Sequence, residues 1–412
     1  MSNPQPPCNR NVLISGASIA GPALAFWLNR YGFAPTVVER APTLRTGGQA
    51  IDVLGTGTDV VRKMGLLDQV LESSTGKRGT SYVDASGRSR ADISSEMFNG
   101  VGAHGDTEIQ RGDLARVLYD ATRDDVGYLF GDSITGLTEG AEGVHVTFAR
   151  AESRTFDLVI GADGVHSNTR SLVFGPEREF LRHMGYYLAI FTTPNLLELD
   201  HWEQDYNVPG KIAGSYSARE NAEAKAVFAF ESGPLDYDYR DVAQQKRILA
   251  ETFAGVGWAV PRLLAHLDAA ADFYFDAMAQ VKMDTWSKGR VALVGDAGYC
   301  AAPLSGQGAN LSLVGAYVLA GELAAAHGDH AVAFARYHQQ MRPMVEACQR
   351  FAEGVGKWYA PRTDSMIRLR NLNVRLLPYL PWRALIGGAP QKVARTIPIK
   401  NYRAHELVTP PN

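Results

Sequence analysis

The sequence is poor in cysteine and has no pattern that would build a metal site or a disulfide framework. Its 412 residues contain three cysteines, Cys8, Cys300 and Cys348, which lie far apart and form no Cys-x-x-Cys pair. An odd number of widely separated thiols is typical of a protein whose cysteines stay reduced. The sequence therefore excludes a small disulfide scaffold and predicts no bound metal.

Long apolar runs and targeting signals are also missing. Residues 1–11 are polar and proline-rich and lack a basic stretch followed by an apolar one. The longest apolar stretch, residues 311–326, is interrupted by Glu322 and is too short to span a bilayer, so we interpret it as a buried helix. We therefore expect a soluble, cytoplasmic protein without stable membrane association.

No large excess of charge of one sign points to a nucleic acid partner. The formal net charge is −3, which argues against general nucleic acid binding. The charge is uneven, because from Phe351 to the C-terminus ten Lys and Arg stand against three Asp and Glu. A solvated basic tail on an acidic body explains this pattern, and contact with an anionic cofactor, partner or membrane surface is the alternative.

Glycine, in contrast, is abundant, with 41 residues or about one in ten against a usual ~7%. Glycine costs conformational entropy in ordered elements, so an excess indicates places where the backbone turns sharply or approaches a ligand closely.

The apolar periodicity predicts strands and helices in alternation at both ends of the chain. Strands are expected at 11–15, 36–39, 144–148, 156–160, 185–193, 226–231 and 290–294. Helices are expected at 22–31, 55–75, 110–122, 311–326, 331–354 and near 366–377. The stretch 172–282 differs from the rest, because its β-branched and aromatic segments, separated by polar turns, are typical of an antiparallel sheet.

These patterns predict an α/β fold with a mainly parallel, Rossmann-like sheet built from both ends of the chain. Residues 1–171 and 283–330 are expected to form a nucleotide-binding domain. Residues 172–282 form an inserted antiparallel sheet that binds the substrate, and residues 331–412 form C-terminal helices and a basic tail.

The first motif is Gly16-x-Ser18-x-x-Gly21, between the first strand and the first helix. A helix N-terminus presents free N–H groups and a positive dipole end to a pyrophosphate. Ser18 replaces the usual middle glycine, but its hydroxyl is able to donate to a phosphate oxygen. Glu39, at the end of the next strand, suits the hydroxyls of an adenosine ribose and disfavours the 2′-phosphate of NADP.

Two further motifs place a carboxylate and glycines after a buried strand. Asp163-Gly164 follows the strand 156–160 and precedes a helix for which Ser167 is the expected cap. Gly295-Asp296 follows the strand 290–294 and precedes the glycine-rich loop 303–310, which leads into another helix. Ligands of α/β sheets bind at such strand ends. An ordinary turn and cap would also explain the Asp163-Gly164 motif alone.

Taken in order and spacing, the three motifs resemble those of the flavin-dependent aromatic hydroxylases, the p-hydroxybenzoate hydroxylase-like monooxygenases. The resemblance covers residues 12–326. A weaker resemblance links the chain to antibiotic-modifying members such as the tetracycline-inactivating monooxygenases.

The resemblance implies FAD as the bound cofactor and assigns residues to it. The pyrophosphate would lie at 16–21, the ribose at Glu39, the ribityl region at Arg111 and Asp296, and the ring at 47–49 and 303–310. The residues assigned to cofactor binding are Gly16, Ser18, Ile19, Ala20, Gly21, Glu39, Arg40, Gly48, Gln49, Arg111, Asp163, Gly164, Gly295, Asp296, Pro303, Gly306, Gln307, Gly308, Ala309 and Asn310.

The chain departs from the family pattern at several positions. Tyr299 stands where many members have histidine, Gly298 replaces an alanine, and Gly315 replaces a usual acidic residue. Thr169 stands at a position that is usually apolar. These departures leave FAD binding intact but weaken any transfer of loop details.

The reaction implied by the resemblance is oxygenation of an aromatic or polycyclic small molecule. NAD(P)H reduces FAD, the reduced flavin traps O2 as a C4a-hydroperoxide, and the distal oxygen passes to the substrate. The expected state is a monomer or homodimer. Phe191, Tyr216, Phe228, Phe230 and Pro303 are the candidates for the substrate pocket, with simple core packing as the alternative for the aromatic residues.

Other activities remain as alternatives. The same flavin chemistry allows Baeyer–Villiger oxygenation or oxidative inactivation of an antibiotic. A flavin halogenase is disfavoured because the chain has no Trp-x-Trp-x-Ile stretch. Alternatives of another class are a nicotinamide dehydrogenase without flavin and a non-enzymatic FAD-binding protein.

Overall fold

The computed structural model describes residues 7–45, 47–94, 106–218, 220–379 and 389–402. Within them the fold is α/β, as predicted, with a central parallel sheet, a large antiparallel sheet and helices that cover both.

The central sheet is assembled from distant parts of the chain. Its strands in spatial order are Ser287–Lys288, Val291–Leu293, Leu158–Gly161, Asn11–Ser15, Ala34–Glu39 and Gly127–Phe130. All neighbours pair in parallel except the first two, which are antiparallel. The sheet therefore brings the ends of Asn11–Ser15, Leu158–Gly161 and Val291–Leu293, and the motifs that follow them, to one edge.

The second large sheet has seven strands and is antiparallel except at one pair. In spatial order the strands are Tyr274–Val281, Leu181–Pro194, Glu223–Glu231, Lys211–Ala218, Trp202–Val208, Gly79–Val83 and Ser89–Ser94. The last two come from before the segment 172–282, and Gly79–Val83 pairs in parallel with Trp202–Val208. The limits of the domains stay a prediction.

Two smaller sheets, the helices and short turns complete the described part. Two smaller sheets consist of Arg154–Phe156, Gly143–Phe148 and Ile134–Gly140, and of Ala50–Val53 and Thr107–Gln110. The α-helices are Ala20–Arg30, Thr56–Met64, Leu67–Glu72, Arg111–Asp120, Asn168–Val173, Val242–Thr252, Val260–Leu264, Asp296–Tyr299, Gly308–Ala325, His330–Tyr359, Asp364–Leu376 and Ala389–Ala394. Short 3₁₀ turns occur at Glu177–Glu179, Pro303–Ser305 and Leu377–Tyr379.

Two predicted elements are divided in the structure. The helix expected at 55–75 is wrong as one element, because Gly65, at φ +77°, ends Thr56–Met64 before Leu67–Glu72 begins. The strand expected at 156–160 is split around Asp157, whose carboxylate accepts a hydrogen bond from the Asn11 amide at 2.7 Å.

The apolar stretch near the C-terminal third forms a core helix. By length and composition Gly308–Ala325 is apolar enough to cross a membrane, but 83% of it is buried inside the structure. It packs against Ala20–Arg30 on one side and against His330–Tyr359 on the other. Its apolar character is thus explained by burial between helices.

Two departures from the family pattern turn out to be one packing arrangement. Tyr299 is fully buried, and its hydroxyl lies 2.8 Å from that of Tyr337. A Cβ at Gly315 would lie 2.0 Å from the Tyr299 hydroxyl oxygen. The glycine in the core helix therefore makes the room that the tyrosine needs.

We predict that Gly315→Ala destabilises the fold by about 1–3 kcal/mol, because neither buried tyrosine has space to move. Thermal or urea unfolding of the purified protein measures this. The double variant Gly315→Ala with Tyr299→Phe is expected to recover part of the loss, since it removes the clashing oxygen. An unchanged unfolding midpoint in Gly315→Ala would contradict the packing argument.

Candidate functional site

The first glycine loop, residues 16–21, joins the strand Asn11–Ser15 to the helix Ala20–Arg30. Gly16 adopts φ +108°, a conformation that side chains disfavour, and its amide donates to the Val38 carbonyl at 2.7 Å. A Cβ at Gly21 would lie 1.9 Å from the Gly16 carbonyl oxygen. The helix has no side-chain cap and no acidic residue in its first turn, so its first amides and its positive end are available to an anion.

Glu39 lies beside this loop and helps to hold it. One carboxylate oxygen accepts the Ala17 amide at 2.9 Å and the other accepts the Ala41 amide at 2.8 Å. Each oxygen keeps a second acceptor position. Glu39 is therefore placed to fix the loop and still accept hydroxyl groups of a ligand. Arg40, the next residue, is exposed.

Arg111 connects the first glycine loop to the residues 47–49. Its amide donates to the Gln49 carbonyl at 3.0 Å, and its guanidinium donates to the Ser18 hydroxyl at 2.8 Å. A Cβ at Gly48 would lie 3.5 Å from the Arg111 Cβ, so the glycine permits this close approach. Burial lowers the pKa of Arg111, and the neighbouring Arg45 lowers it further. Two guanidinium groups within electrostatic range of each other suit an anionic ligand.

The Asp-Gly loop, residues 161–167, is held by its own side chains. The Asp163 carboxylate accepts from the Ser167 hydroxyl and, at 2.9 and 2.8 Å, from the amide and hydroxyl of Thr169. Ser167 caps the following helix, as predicted, by accepting the Arg170 amide at 2.9 Å. Thr169, an exception to the family pattern, thus serves as a donor to Asp163. Gly164, at φ +82°, has no atom within 4 Å of its Cβ position and leaves its backbone open.

A charged clamp joins this loop to the large sheet. The His166 ring lies 3.0 Å from a carboxylate oxygen of Glu177 and 3.0 Å from one of Asp276. Burial alone would lower the pKa of His166, but the hydrogen bonds to Asp276 and Glu177 raise it to about 10. Arg170, fully buried, also donates to Glu177 at 3.2 Å. This clamp sets the position of the Asp-Gly loop relative to the strand Tyr274–Val281.

The third loop, residues 295–310, follows the strand Val291–Leu293. Burial raises the pKa of Asp296, while the Cys300 thiol and the Arg111 guanidinium oppose that rise. Asn310 is fully buried and ties the loop in place, because its side-chain oxygen accepts the Leu54 amide at 2.9 Å. Its amide group donates to Gln307 at 3.1 Å.

The remaining groups of the third loop are backbone atoms that stay accessible. Pro303 and Gly306 are exposed and Gly308 is half-buried. The helix Gly308–Ala325 begins here with no side-chain cap and no acidic residue in its first turn. The loop therefore presents amides and a positive helix end to the same region as the first glycine loop.

Known proteins resemble this chain over most of their length. The family model for the FAD binding domain matches residues 9–352. A flavin-dependent monooxygenase of Legionella longbeachae serogroup 1 is 43% identical over 356 residues, which cover 86% of this chain and 91% of the relative. The chain belongs to the flavin-dependent monooxygenases. It is therefore an oxidoreductase of a family that binds FAD.

Two further relatives extend the comparison. A protein of Mycobacterium tuberculosis with no assigned activity is 51% identical over 341 residues, covering 82% of this chain and 92% of its own length. The crystal structure of the tetracycline destructase Tet(55) has 40% sequence identity and a TM-score of 0.83, and the match covers 97% of this chain and 100% of that one. The monooxygenase fold is thus shared almost end to end.

The residues of this monooxygenase fit a flavin nucleotide on structural grounds. The two helix N-termini and the paired arginines supply positive potential, and the glycines leave backbone amides open. Gln110, directly before Arg111, has a buried side-chain amide with no hydrogen-bond partner among the described residues. A polar ligand beside Arg111 would give such a group its partner.

Three of the residues predicted for the substrate pocket lie in a hydrophobic core of the large sheet. Phe191, Phe228 and Phe230 are buried in the core that the large sheet forms with the helices Val242–Thr252 and Val260–Leu264. The rings of Phe191 and Phe228 stack at 5.8 Å. This burial fits the alternative of simple core packing, and a role of these rings in substrate binding stays a prediction.

Tyr216, in contrast, lies on the opposite face of the sheet. Its apolar neighbours there include Leu304 of the third loop, and its hydroxyl accepts the Ala50 amide at 2.9 Å. The register of the strands explains the difference: Phe228 pairs with Ala213 and shares its face, and Tyr216, three residues beyond Ala213, points to the other face because side chains alternate along a strand. We call the face that carries Tyr216 the loop-facing side of the sheet.

Several residues near the loops were not predicted. The Asp52 carboxylate lies 3.6 Å from the Cβ position of Gly306. Burial raises the pKa of Asp52 to about 6, and the nearby Glu108 contributes. Tyr274 lies close enough to Arg111 and Asp296 to interact electrostatically with both. Asp52 reaches the site through the pairing of Ala50–Val53 with Thr107–Gln110, and Tyr274 reaches it as part of the large sheet. Both depend on pairing between distant segments, so no local motif signalled them.

Proposed function

We propose that this monooxygenase uses NAD(P)H and O2 to hydroxylate an aromatic or polycyclic small molecule. The observation that carries the proposal is the position of Arg111. It is bound to Gln49 and Ser18 and interacts electrostatically with Asp296, so it links the three segments that the family resemblance assigns to FAD.

In this proposal the first glycine loop and Arg111 hold the FAD pyrophosphate. The open amides at the start of the helix Ala20–Arg30 donate to phosphate oxygens. Ile19 directly precedes this helix, and Gly21 lies in its first turn. The Ser18 hydroxyl, held by Arg111 at 2.8 Å, contributes another donor. Glu39 accepts the hydroxyl groups of the adenosine ribose, with Arg40 beside it.

The remaining loops receive the other half of the cofactor. Asp296, kept close to Arg111, accepts ribityl hydroxyls. The backbone of Gly48 and Gln49 and of the segment 303–310, with Ala309 and Asn310 at the helix start, would hold the flavin ring. Among the described residues, one oxygen of Asp163 accepts from Ser15 and Thr169 and the other from Ser167 alone, so Asp163 positions the backbone of Gly164 and keeps one acceptor position for the cofactor.

FAD, when bound, accepts a hydride from the nicotinamide and activates O2. The overall reaction balances as substrate, O2, NAD(P)H and a proton giving hydroxylated substrate, water and NAD(P)⁺. The chain itself binds, orients and excludes water. The loop-facing side of the sheet supplies an apolar wall of Tyr216, Ile212 and Ile190 opposite Leu304, and such a wall suits a planar ring system.

The first compounds to test are polycyclic antibiotics of the tetracycline class. The 40% identity with the tetracycline destructase Tet(55) over nearly the whole chain supports this choice. Oxidative inactivation of an antibiotic and simple hydroxylation use the same reactants, so the products distinguish them.

The test is substrate-stimulated consumption of NADH or NADPH and of O2 by the FAD-loaded protein. The panel contains tetracycline, polycyclic phenols and 4-hydroxybenzoate. We expect at least one compound to raise both rates about tenfold or more above the substrate-free rate, with a product that has gained one oxygen atom.

The alternatives give different results. A dehydrogenase without flavin would be colourless and would consume no O2. A non-enzymatic flavoprotein would be yellow but would oxidise neither nicotinamide with any compound. Either result would contradict the proposed function.

A further inference from the structure

The loop-facing side of the sheet carries a carboxylate that the proposed function does not use. Asp205, in the strand Trp202–Val208, is 8% exposed and has no hydrogen-bond donor among the described residues. Burial, and then the neighbouring Glu203, raise the pKa of Asp205 well above its usual range. A largely buried carboxylate that accepts no hydrogen bond from the protein can take a donor from a ligand.

The neighbouring strand is shaped around this carboxylate. Asp205 pairs in register with Gly214, and a Cβ at Gly214 would lie 2.2 Å from an Asp205 oxygen. Tyr216, two residues further along that strand, lies on the same face. The glycine thus leaves a slot that the carboxylate fills, on the side of the sheet that faces Leu304 of the third loop.

The cations nearest to Asp205 are already engaged by other groups. Lys77 lies between Glu108, at 2.8 Å, and Glu203, at 3.2 Å. Arg370 donates to Asn207 at 2.9 Å and stacks over the ring of Tyr82 at 3.9 Å. Neither forms an ion pair with Asp205, so their charges only partly compensate it.

The surroundings as a whole are acidic and aromatic. The carboxylates on or beside this face are Asp52, Glu108, Glu203 and Asp205, against the cations Lys77 and Arg370. Tyr82 and Tyr359 both lie within electrostatic range of Asp205. Aromatic rings together with a carboxylate that is only partly compensated favour an organic ammonium group over a neutral or anionic one.

We propose that Asp205 is a specificity-determining residue that pairs with a basic amine on the substrate. This inference rests on the proposed function, because it places the substrate between the third loop and the loop-facing side of the sheet. The amine carries a proton, forms a charge-assisted hydrogen bond to Asp205 that keeps this carboxylate ionised, and packs against Tyr359. The aromatic part of the substrate then extends toward Tyr216 and Leu304.

The test measures binding to the FAD-loaded, full-length protein by equilibrium dialysis with three probes of one shape. These are 9-(aminomethyl)anthracene, 9-(hydroxymethyl)anthracene and 9-anthracenecarboxylate, which are cationic, neutral and anionic at neutral pH. We expect the amine to bind about tenfold or more tighter than the alcohol, and the carboxylate to bind weakest.

Variants assign this preference to Asp205. In Asp205→Asn the preference for the amine, measured as the ratio of the dissociation constants of the alcohol and the amine, is expected to fall below about threefold. In Gly214→Ala the ratio also falls, because the new Cβ displaces the carboxylate, and this variant serves if Asp205→Asn folds poorly. The control Asp92→Asn removes an exposed carboxylate that accepts from Ser81 and Ser89, and it keeps the wild-type ratio.

Three results would overturn the inference: equal binding of the probes to the wild-type protein, no binding of any probe, or an amine preference that both Asp205→Asn and Gly214→Ala retain. The O2 and NAD(P)H assay is read separately with the panel of the proposed function. Oxygenation without an amine preference would remove the role of Asp205 and leave the proposed function intact. Preferential binding of the amine without oxygenation would contradict the proposed function and leave the role of Asp205 in binding intact.

Discussion

Replacing Arg111 by methionine is expected to weaken FAD binding by roughly two to three orders of magnitude. The guanidinium is half-buried, donates to Ser18 at 2.8 Å and lies near Arg45 and Asp296. In the proposed complex it neutralises phosphate charge in a partly desolvated site, where a charge-assisted contact is worth about 3–4 kcal/mol. Titration of the FAD-free protein with FAD, followed by flavin fluorescence, gives the dissociation constant.

Two further variants make the Arg111 result specific. Arg116 is exposed on the same helix, Arg111–Asp120, so Arg116→Met is expected to leave the dissociation constant within about twofold. Arg111→Lys keeps the charge but loses the planar, two-pronged geometry of the guanidinium. Its FAD dissociation constant is expected to lie between those of the wild-type protein and Arg111→Met. Unchanged FAD affinity in Arg111→Met would remove Arg111 from the cofactor site.

The second large effect is expected from Gly21→Ala. The new Cβ would lie 1.9 Å from the Gly16 carbonyl oxygen and 3.4 Å from a methyl carbon of Ile14, and the backbone atoms there have no room to move. The helix Ala20–Arg30 would have to shift away from the strand Asn11–Ser15. We expect a loss of about 3 kcal/mol or more in the free energy of unfolding and loss of FAD retention through purification.

The matched control is another glycine inside a helix. Gly354, in His330–Tyr359, has no atom within 4 Å of its Cβ position. Gly354→Ala should therefore leave FAD retention intact and raise stability slightly, by about 0.5–1 kcal/mol from helix propensity alone. If Gly21→Ala behaved like Gly354→Ala, the close approach of helix and strand would not be required.

The motifs of the sequence predicted the parallel sheet and its loops because each motif is local. A strand, a glycine turn and a helix N-terminus follow one another within a few residues around Gly16, Gly164 and Gly295. The cap at Ser167 was predicted for the same reason. In each case one short stretch of sequence contains the strand, the turn that follows it and the start of the next helix.

Features that depend on distant pairing were not predictable in this way. Gly79–Val83 joins the large sheet through the strand Trp202–Val208, more than a hundred residues away, and no local pattern signals that partner. The face of each strand was equally undetermined. Phe228 and Tyr216 have the same type of side chain in similar strands, yet only the second points toward the third loop.

Some departures from the family pattern gained a meaning only in three dimensions. Gly315 and Tyr299 compensate one another across the core helix, and Thr169 serves Asp163 through its hydroxyl. Such pairs are invisible to a motif that scores positions singly. Asp205 is a similar case, because its slot is defined by the glycine of the neighbouring strand.

Incubation of the FAD-loaded enzyme with NAD(P)H, an accepted substrate and ¹⁸O2 tests the central claim most directly. Mass spectrometry of the product then shows where the oxygen came from. The account predicts one labelled oxygen atom in the product and the other in water, with one nicotinamide oxidised for each product formed. A product without label, or O2 that ends only as hydrogen peroxide while the substrate is unchanged, would contradict it.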